Sequence, residues 1–281
     1  MKITAESLQK LRDFEAAGNH VADVVGEAMK DRLGLIRFVA RYAAWNGLFG
    51  SGVSALAAKI GRSTALFAEK GFPPPLADRS VLVASYFFDA ARDEFDDRDT
   101  EHRDTHRCLA QATLWGLVDL TKPSKPQLND DGWLTTFLAA PLWLQALRDR
   151  VAVGYGNGSS DTYGAIFRAI GYHLGSELLA DQEFSVIDKT LRGADDALVT
   201  KLKNKTVTIA GQAHNCYQWI GIHSGHGGGA EADHFEWAVS GANLAFDYVP
   251  ETLHAELRHQ VDEGYLDFAR DHDEFFAKVN E

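Results

Sequence analysis

The chain has 281 residues, 45% of them hydrophobic and 11% aromatic, and a formal net charge of −12. That apolar content can bury a sizeable core, while the acidity excludes the basic surface that a phosphate backbone or an anionic membrane requires. Only Cys108 and Cys216 are present, which excludes a disulfide framework or a zinc ribbon.

The N-terminus, MKITAESLQKLRDFEAAG, has no apolar core of a signal peptide. No stretch reaches the roughly 18 apolar residues of a spanning helix. A cytoplasmic location is therefore expected.

Along the chain, Thr4 is placed to cap a first helix over residues 5–17, and residues 30–46 form a second. The breaker GFPPPLADRS over 71–80 precedes a third helix over 81–97, with Asp78 or Ser80 as its cap. This helix ends in Asp93, Glu94, Asp96 and Asp97. Acidic groups there oppose the macrodipole; a bound cation would offset the cost, and so would simple solvation. A helix over 104–119 follows, then a Pro- and Asp-rich loop over 122–132 and a helix over 134–149. The loop over 154–161 offers Ser160 or Asp161 as cap for a long helix over 162–191. Residues 205–211 are the sole strand-like run; 212–224 and 230–248 are expected to be helical, separated by Gly227–Gly229. Pro250 suits the first position of a last helix with Leu253, Leu257, Val261, Tyr265, Phe268, His272 and Phe275 on one face. Without repeats or a composition shift, the expectation is one all-α domain over residues 1–281, its metal-binding core over about 80–250.

The chemistry concentrates in three places. His214, His223, His226 and His234 crowd into residues 214–234 beside Glu231 and Asp233. Glu231 and His234, at i and i+3, leave one helical face, a unit used by carboxylate-bridged dimetal sites. His223 shares that face if the helix is continuous; a break at the glycine run would turn His226 inward instead, and spacing leaves both open. His173, Glu177 and Asp181 form a second face at i, i+4 and i+8. Such groups are costly to bury unless paired or metal-bound; a salt-bridged surface is the competing reading. Glu94 with His102 or His106 is the third. Histidine and carboxylate without cysteine suit iron, manganese or zinc, and several carboxylates in one site favour two ions.

Three features then resemble a known family: Asp93-Glu94 followed by His106, with His102 competing; Glu177 midway along a long helix, with Asp181 and Glu183 as alternates; and Glu231 and His234 on one helix after His223 or His226. Over residues 80–250 they resemble the heme-oxygenase-like diiron oxidases and oxygenases, relatives of TenA and PqqC. The glycine run departs from that family's spacing for the first histidine of the last helix. The resemblance implies a heme-oxygenase-like bundle of about seven core helices. It implies Glu94, His106, Glu177, His223, His226, Glu231 and His234 as metal ligands, with no catalytic residue beyond them. It implies two iron ions per chain, Fe(II)/Fe(III), and O2 as co-substrate. The implied chemistry is oxidation of a small substrate, amino-acid-derived or a fatty acid, by N-oxygenation, desaturation or C–C cleavage, in a homodimer.

Tyr172, Tyr217, Trp219, Phe235 and Trp237 flank these residues as core or pocket lining. Arg92, Arg103 and Arg107 either hold a substrate carboxylate or neutralise the acidic stretch. The alternatives are a TenA- or PqqC-like enzyme without a diiron centre, a mononuclear metal enzyme, or a non-catalytic scaffold. A TenA-like hydrolase needs an activated cysteine, and Cys108 and Cys216 lie in apolar stretches. A scaffold leaves the costly ligand-type residues without a use. No dinucleotide fingerprint, P-loop, nucleophile elbow or His-Glu-x-x-His is present.

Overall fold

The structure, a computed structural model, describes residues 2–69, 78–97, 100, 104–121, 139–224 and 230–281, without the side chains of residues 230 and 231. Local caps set most helix boundaries. Thr4 accepts from the Ser7 amide and Ser7 reciprocates, which starts α1 (Ala5–Gln9). Asp13 caps α2 (Phe14–Ala28), so the single helix expected over 5–17 is two. Asp31 caps α3 (Arg32–Asn46), followed by α4 (Phe49–Arg62) and α5 (Thr64–Phe67). Asp78 holds the N-cap position of α6 (Arg79–Phe95) without a side-chain cap bond. Ser80 lies inside that helix and donates to the Gly61 carbonyl, so neither caps as expected.

α7 (His106–Thr121) starts at a candidate ligand. α8 (Leu142–Gly154) has Pro141 at its N-cap; the loop expected over 122–132 and the start of the helix expected from 134 lie outside the described residues. α9 (Tyr163–Lys203) is capped by Thr162 rather than Ser160 or Asp161. Asp161 instead pairs with Lys59 at 2.8 Å. Beyond the expected end at residue 191, α9 kinks at Asp195, which leaves helical geometry and whose carboxylate accepts from the Leu198 amide at 2.8 Å, capping a second segment.

An antiparallel hairpin follows, β1 (Thr206–Ile209) and β2 (Gln212–Asn215). Its turn, Ala210-Gly211, has φ of 52° and 85°, the left-handed pair that matches strand twist. This corrects the helix expected over 212–224: only α10 (Gln218–His223) is helical. After α11 (Ala230–Asp247), Pro250 caps a 3-10 turn over Glu251–Leu253, and α12 (His254–Lys278) begins beyond it. The expected break at Gly227–Gly229 lies outside the described residues.

α9 runs through the core, against α12, α11 and α2. The α12 stripe Leu257, Val261, Tyr265, Phe268, His272 and Phe275 is buried. α9 and α12 meet backbone to backbone: a Cβ on Gly171 would lie 2.0 Å from the Val261 carbonyl oxygen, and one on Gly264 would lie 1.9 Å from that of Arg168. Only glycine permits this approach. The described chain is mostly helical, and among the described residues no helix is long and apolar enough to cross a membrane.

Candidate metal centre

The acidic end of α6, the start of α7, the middle of α9, the end of α10 and α11 converge on one buried cluster. Around His106, Nδ1 lies 3.1 Å from Glu94 Oε2 and Nε2 lies 2.9 Å from Asp97 Oδ2. The His223 Nδ1–H donates to the Trp219 carbonyl at 2.5 Å, which turns Nε2 to within 3.2 Å of His106 Nδ1. Around His234, Nε2 lies 3.2 Å from Asp93 Oδ2 and Nδ1 lies 3.4 Å from Glu177 Oε2. The other oxygen of Glu177, Oε1, faces His173 Nδ1 at 3.1 Å.

The residues thus form two sets of two histidines and two carboxylates: His106, His223, Glu94 and Asp97; and His173, His234, Asp93 and Glu177. The sets touch, the His106 and His234 rings stacking at 6.0 Å. Ligand atoms of Asp93, Asp97 and His106 lie within 4.8 Å of one another. Seven of the eight residues are buried, and the Glu94 side chain is 12% exposed.

Asp93 and Asp97 are therefore not a solvated helix end; histidines of α7 and α11 meet the acidic charge. Burial would raise the Glu94 carboxyl, but His106, by charge and hydrogen bond, holds it at about 2. Burial would likewise lower His106, yet Glu94 and Asp97 lift it to about 10. Burial, reinforced by His234, pushes His173 down to about 3, so this ring is neutral. Its single proton belongs on Nδ1, where Glu177 Oε1 accepts. Nε2 is then a lone pair, buried and without a hydrogen-bond partner. A metal-ligating imidazole has this pattern, one nitrogen donating to a carboxylate and the other bare. With four imidazoles, four carboxylates and no thiolate, the residues fit iron, manganese or zinc.

Of the ligands expected from sequence, Glu94, His106, Glu177, His223 and His234 come together here. His102 and His226 lie outside the described residues, as does the side chain of Glu231, one turn before His234 on α11. Asp181 is half-buried on α9, one turn beyond Glu177. The alternate Glu183 is a correction: it accepts from the Tyr42 hydroxyl at 2.7 Å and faces His272 Nε2 at 3.1 Å, in a separate buried cluster. Six residues of helical rotation carry it off the Glu177 face.

Asp93, Asp97 and His173 were not assigned as ligands from sequence. The i, i+4 spacings of Asp93 with Asp97 and of His173 with Glu177 were the available signals. His214, from the histidine-rich segment, lies on β2 and faces Asp104 at 3.0 Å instead.

Trp237 lies 5.6 Å from the His234 ring, Phe87 lies 5.6 Å from His173, and Phe184 stacks on His223 at 4.5 Å. Tyr172 faces away, its hydroxyl donating to Asp271 at 2.8 Å, into a cleft of about 730 Å³ whose lining includes no residue of the cluster. Tyr217 donates to Asp188 at 2.7 Å. Arg92 and Arg107 are exposed, and Arg103 is outside the described residues. Comparison with known proteins found no matching family model, no matching curated protein and no matching solved structure.

Proposed function

We propose that this chain is a non-heme diiron oxidase or oxygenase with a heme-oxygenase-like bundle, acting with O2 on a small, amino-acid-derived substrate by N-oxygenation, desaturation or oxidative C–C cleavage. One observation supports this above the others: two buried sets of two histidines and two carboxylates stand side by side, sharing the contact of His106 with His234. Two divalent ions would answer the negative charge of four buried carboxylates. These four histidines and four carboxylates would hold the ions between them, with Asp93, Asp97 and His106 offering ligand atoms within 4.8 Å of one another. Iron, when bound, supplies the redox chemistry with O2.

The chain's own residues do the rest. Glu177 reaches His173 and His234 through separate oxygens, so one carboxylate orients both rings of its set. His106 carries a proton between Glu94 and Asp97 in the metal-free state, and metal binding displaces it. Phe87, Phe184 and Trp237 wall the cluster and exclude water from it. A mononuclear centre is the second reading, favoured by the single tight group of Asp93, Asp97 and His106.

Metal analysis after anaerobic loading with Fe(II) separates these. Two irons per chain, with an optical change on exposure to O2, are expected; one iron selects the mononuclear reading, and less than one sinks both. Glu177→Ala and His234→Ala should lose iron while keeping helicity by circular dichroism. A variant that keeps its full metal content shows the ligand assignment to be wrong.

A further inference from the structure

The two ligand sets are held by different neighbours. In the first, the Asp97 amide donates to the Asp104 carbonyl at 3.0 Å. The Asp104 carboxylate, in a residue 5% exposed, lies 3.0 Å from Nδ1 of His214, which is 3% exposed. His214 Nε2 faces the Ile209 carbonyl at 3.3 Å, so the ring sits between a carboxylate and a carbonyl. The hairpin that carries it is docked on α7: Cys216 packs on Gly116, where a Cβ would come within 2.6 Å of it. His214 therefore fixes Asp104, two residues before His106, against the helix that His106 opens.

In the second set, Ser176 does the corresponding work. Its hydroxyl donates to the His173 carbonyl at 2.7 Å and lies 3.4 Å from His173 Nδ1. The Tyr155 and Ser176 hydroxyls are hydrogen-bonded at 2.8 Å. Tyr155 is seated on α4, where a Cβ on Gly52 would lie 2.4 Å from its ring.

We infer that the two metal positions are buttressed separately: His214, through Asp104, positions Asp97 and His106, while Tyr155, through Ser176, positions His173. This rests on the two-ion reading above. Loss of an outer partner of a ligand typically weakens metal binding about 10- to 100-fold. Each position can therefore be weakened alone.

The test is a stepwise Mn(II) titration of the full chain, followed by electron paramagnetic resonance and calorimetry. Wild type should show two binding steps. His214→Ala should weaken one step by about 10- to 100-fold and leave the other nearly unchanged, Tyr155→Phe should do the same to the other step, and the double variant should weaken both. Tyr155→Phe keeps the ring on Gly52, and His214→Asn, which retains a polar partner for Asp104, should recover part of the loss; it also stands in if His214→Ala fails to fold. Both variants weakening the same step, or each weakening both steps equally, would overturn the inference while leaving the two-ion centre intact. Fewer than two Mn(II) in wild type would overturn both.

Discussion

Gly171→Ala probes the contact that seats the ligand-bearing helix. The new Cβ would lie 2.0 Å from the Val261 carbonyl oxygen and 2.7 Å from its carbon. Both are backbone atoms, so no rotamer change relieves the clash. Carbon and oxygen settle at about 3.3 Å, which asks α9 and α12 to part by about 1.3 Å at the crossing. The reciprocal contact at Gly264 resists that movement. Overpacking of this rigidity costs about 3 kcal/mol, while alanine in place of a helical glycine returns about 1 kcal/mol. The net loss is about 2 kcal/mol, or a fall in Tm of roughly 4–8 °C for a chain of this size. His173 is two residues away, so metal affinity should fall as well. Gly26→Ala on α2 is the control: nothing lies within 4 Å of its Cβ position, and a gain of about 0.5–1 kcal/mol is expected. Urea and thermal denaturation followed by circular dichroism measure both. A Gly171→Ala protein as stable as wild type would refute the claim that close backbone approach seats α9.

Stability of the metal-free protein should depend on pH through the cluster. His106, raised from 6.5 to about 10, contributes fully below pH 6.5 and loses its contribution as pH rises through 10. His173, lowered from 6.5 to about 3, must be charged in the unfolded chain first, so its contribution is lost as pH falls from 6.5 towards 3. Glu94, lowered from 4.5 to about 2, adds a further loss below pH 4.5. Together these three groups place the maximum near pH 6.5; urea midpoints from pH 4 to 10 should show it, and His106→Asn should remove the alkaline decline. A decline that survives His106→Asn would count against the ion pair. Separately, Tyr42→Phe removes the buried donor to Glu183 and should cost about 1–3 kcal/mol in urea denaturation with no change in metal content. Lost metal would put Glu183 in the centre after all.

Local signals were legible in the sequence. The 3.6-residue periodicity of α12 announced its buried face, and Thr4 announced the first cap. Residue chemistry picked out Glu94, His106 or His102, Glu177, His223 or His226, and His234 as ligand types before any contact was known. The hairpin was not legible: its turn is Ala210-Gly211 rather than an Asn-Gly or Asp-Gly pair, and each strand is too short for alternation to outweigh helical periodicity.

Sequence by itself determined the helical class and the inventory of imidazoles and carboxylates, because propensity, capping and periodicity act over a few residues. Only the tertiary structure decided which of them meet. Asp93 reaches His234 across 141 positions and His106 reaches His223 across 117. Whether the acidic end of α6 is solvated or buried, and whether Glu183 or His173 stands beside Glu177, depends on partners that packing alone brings together.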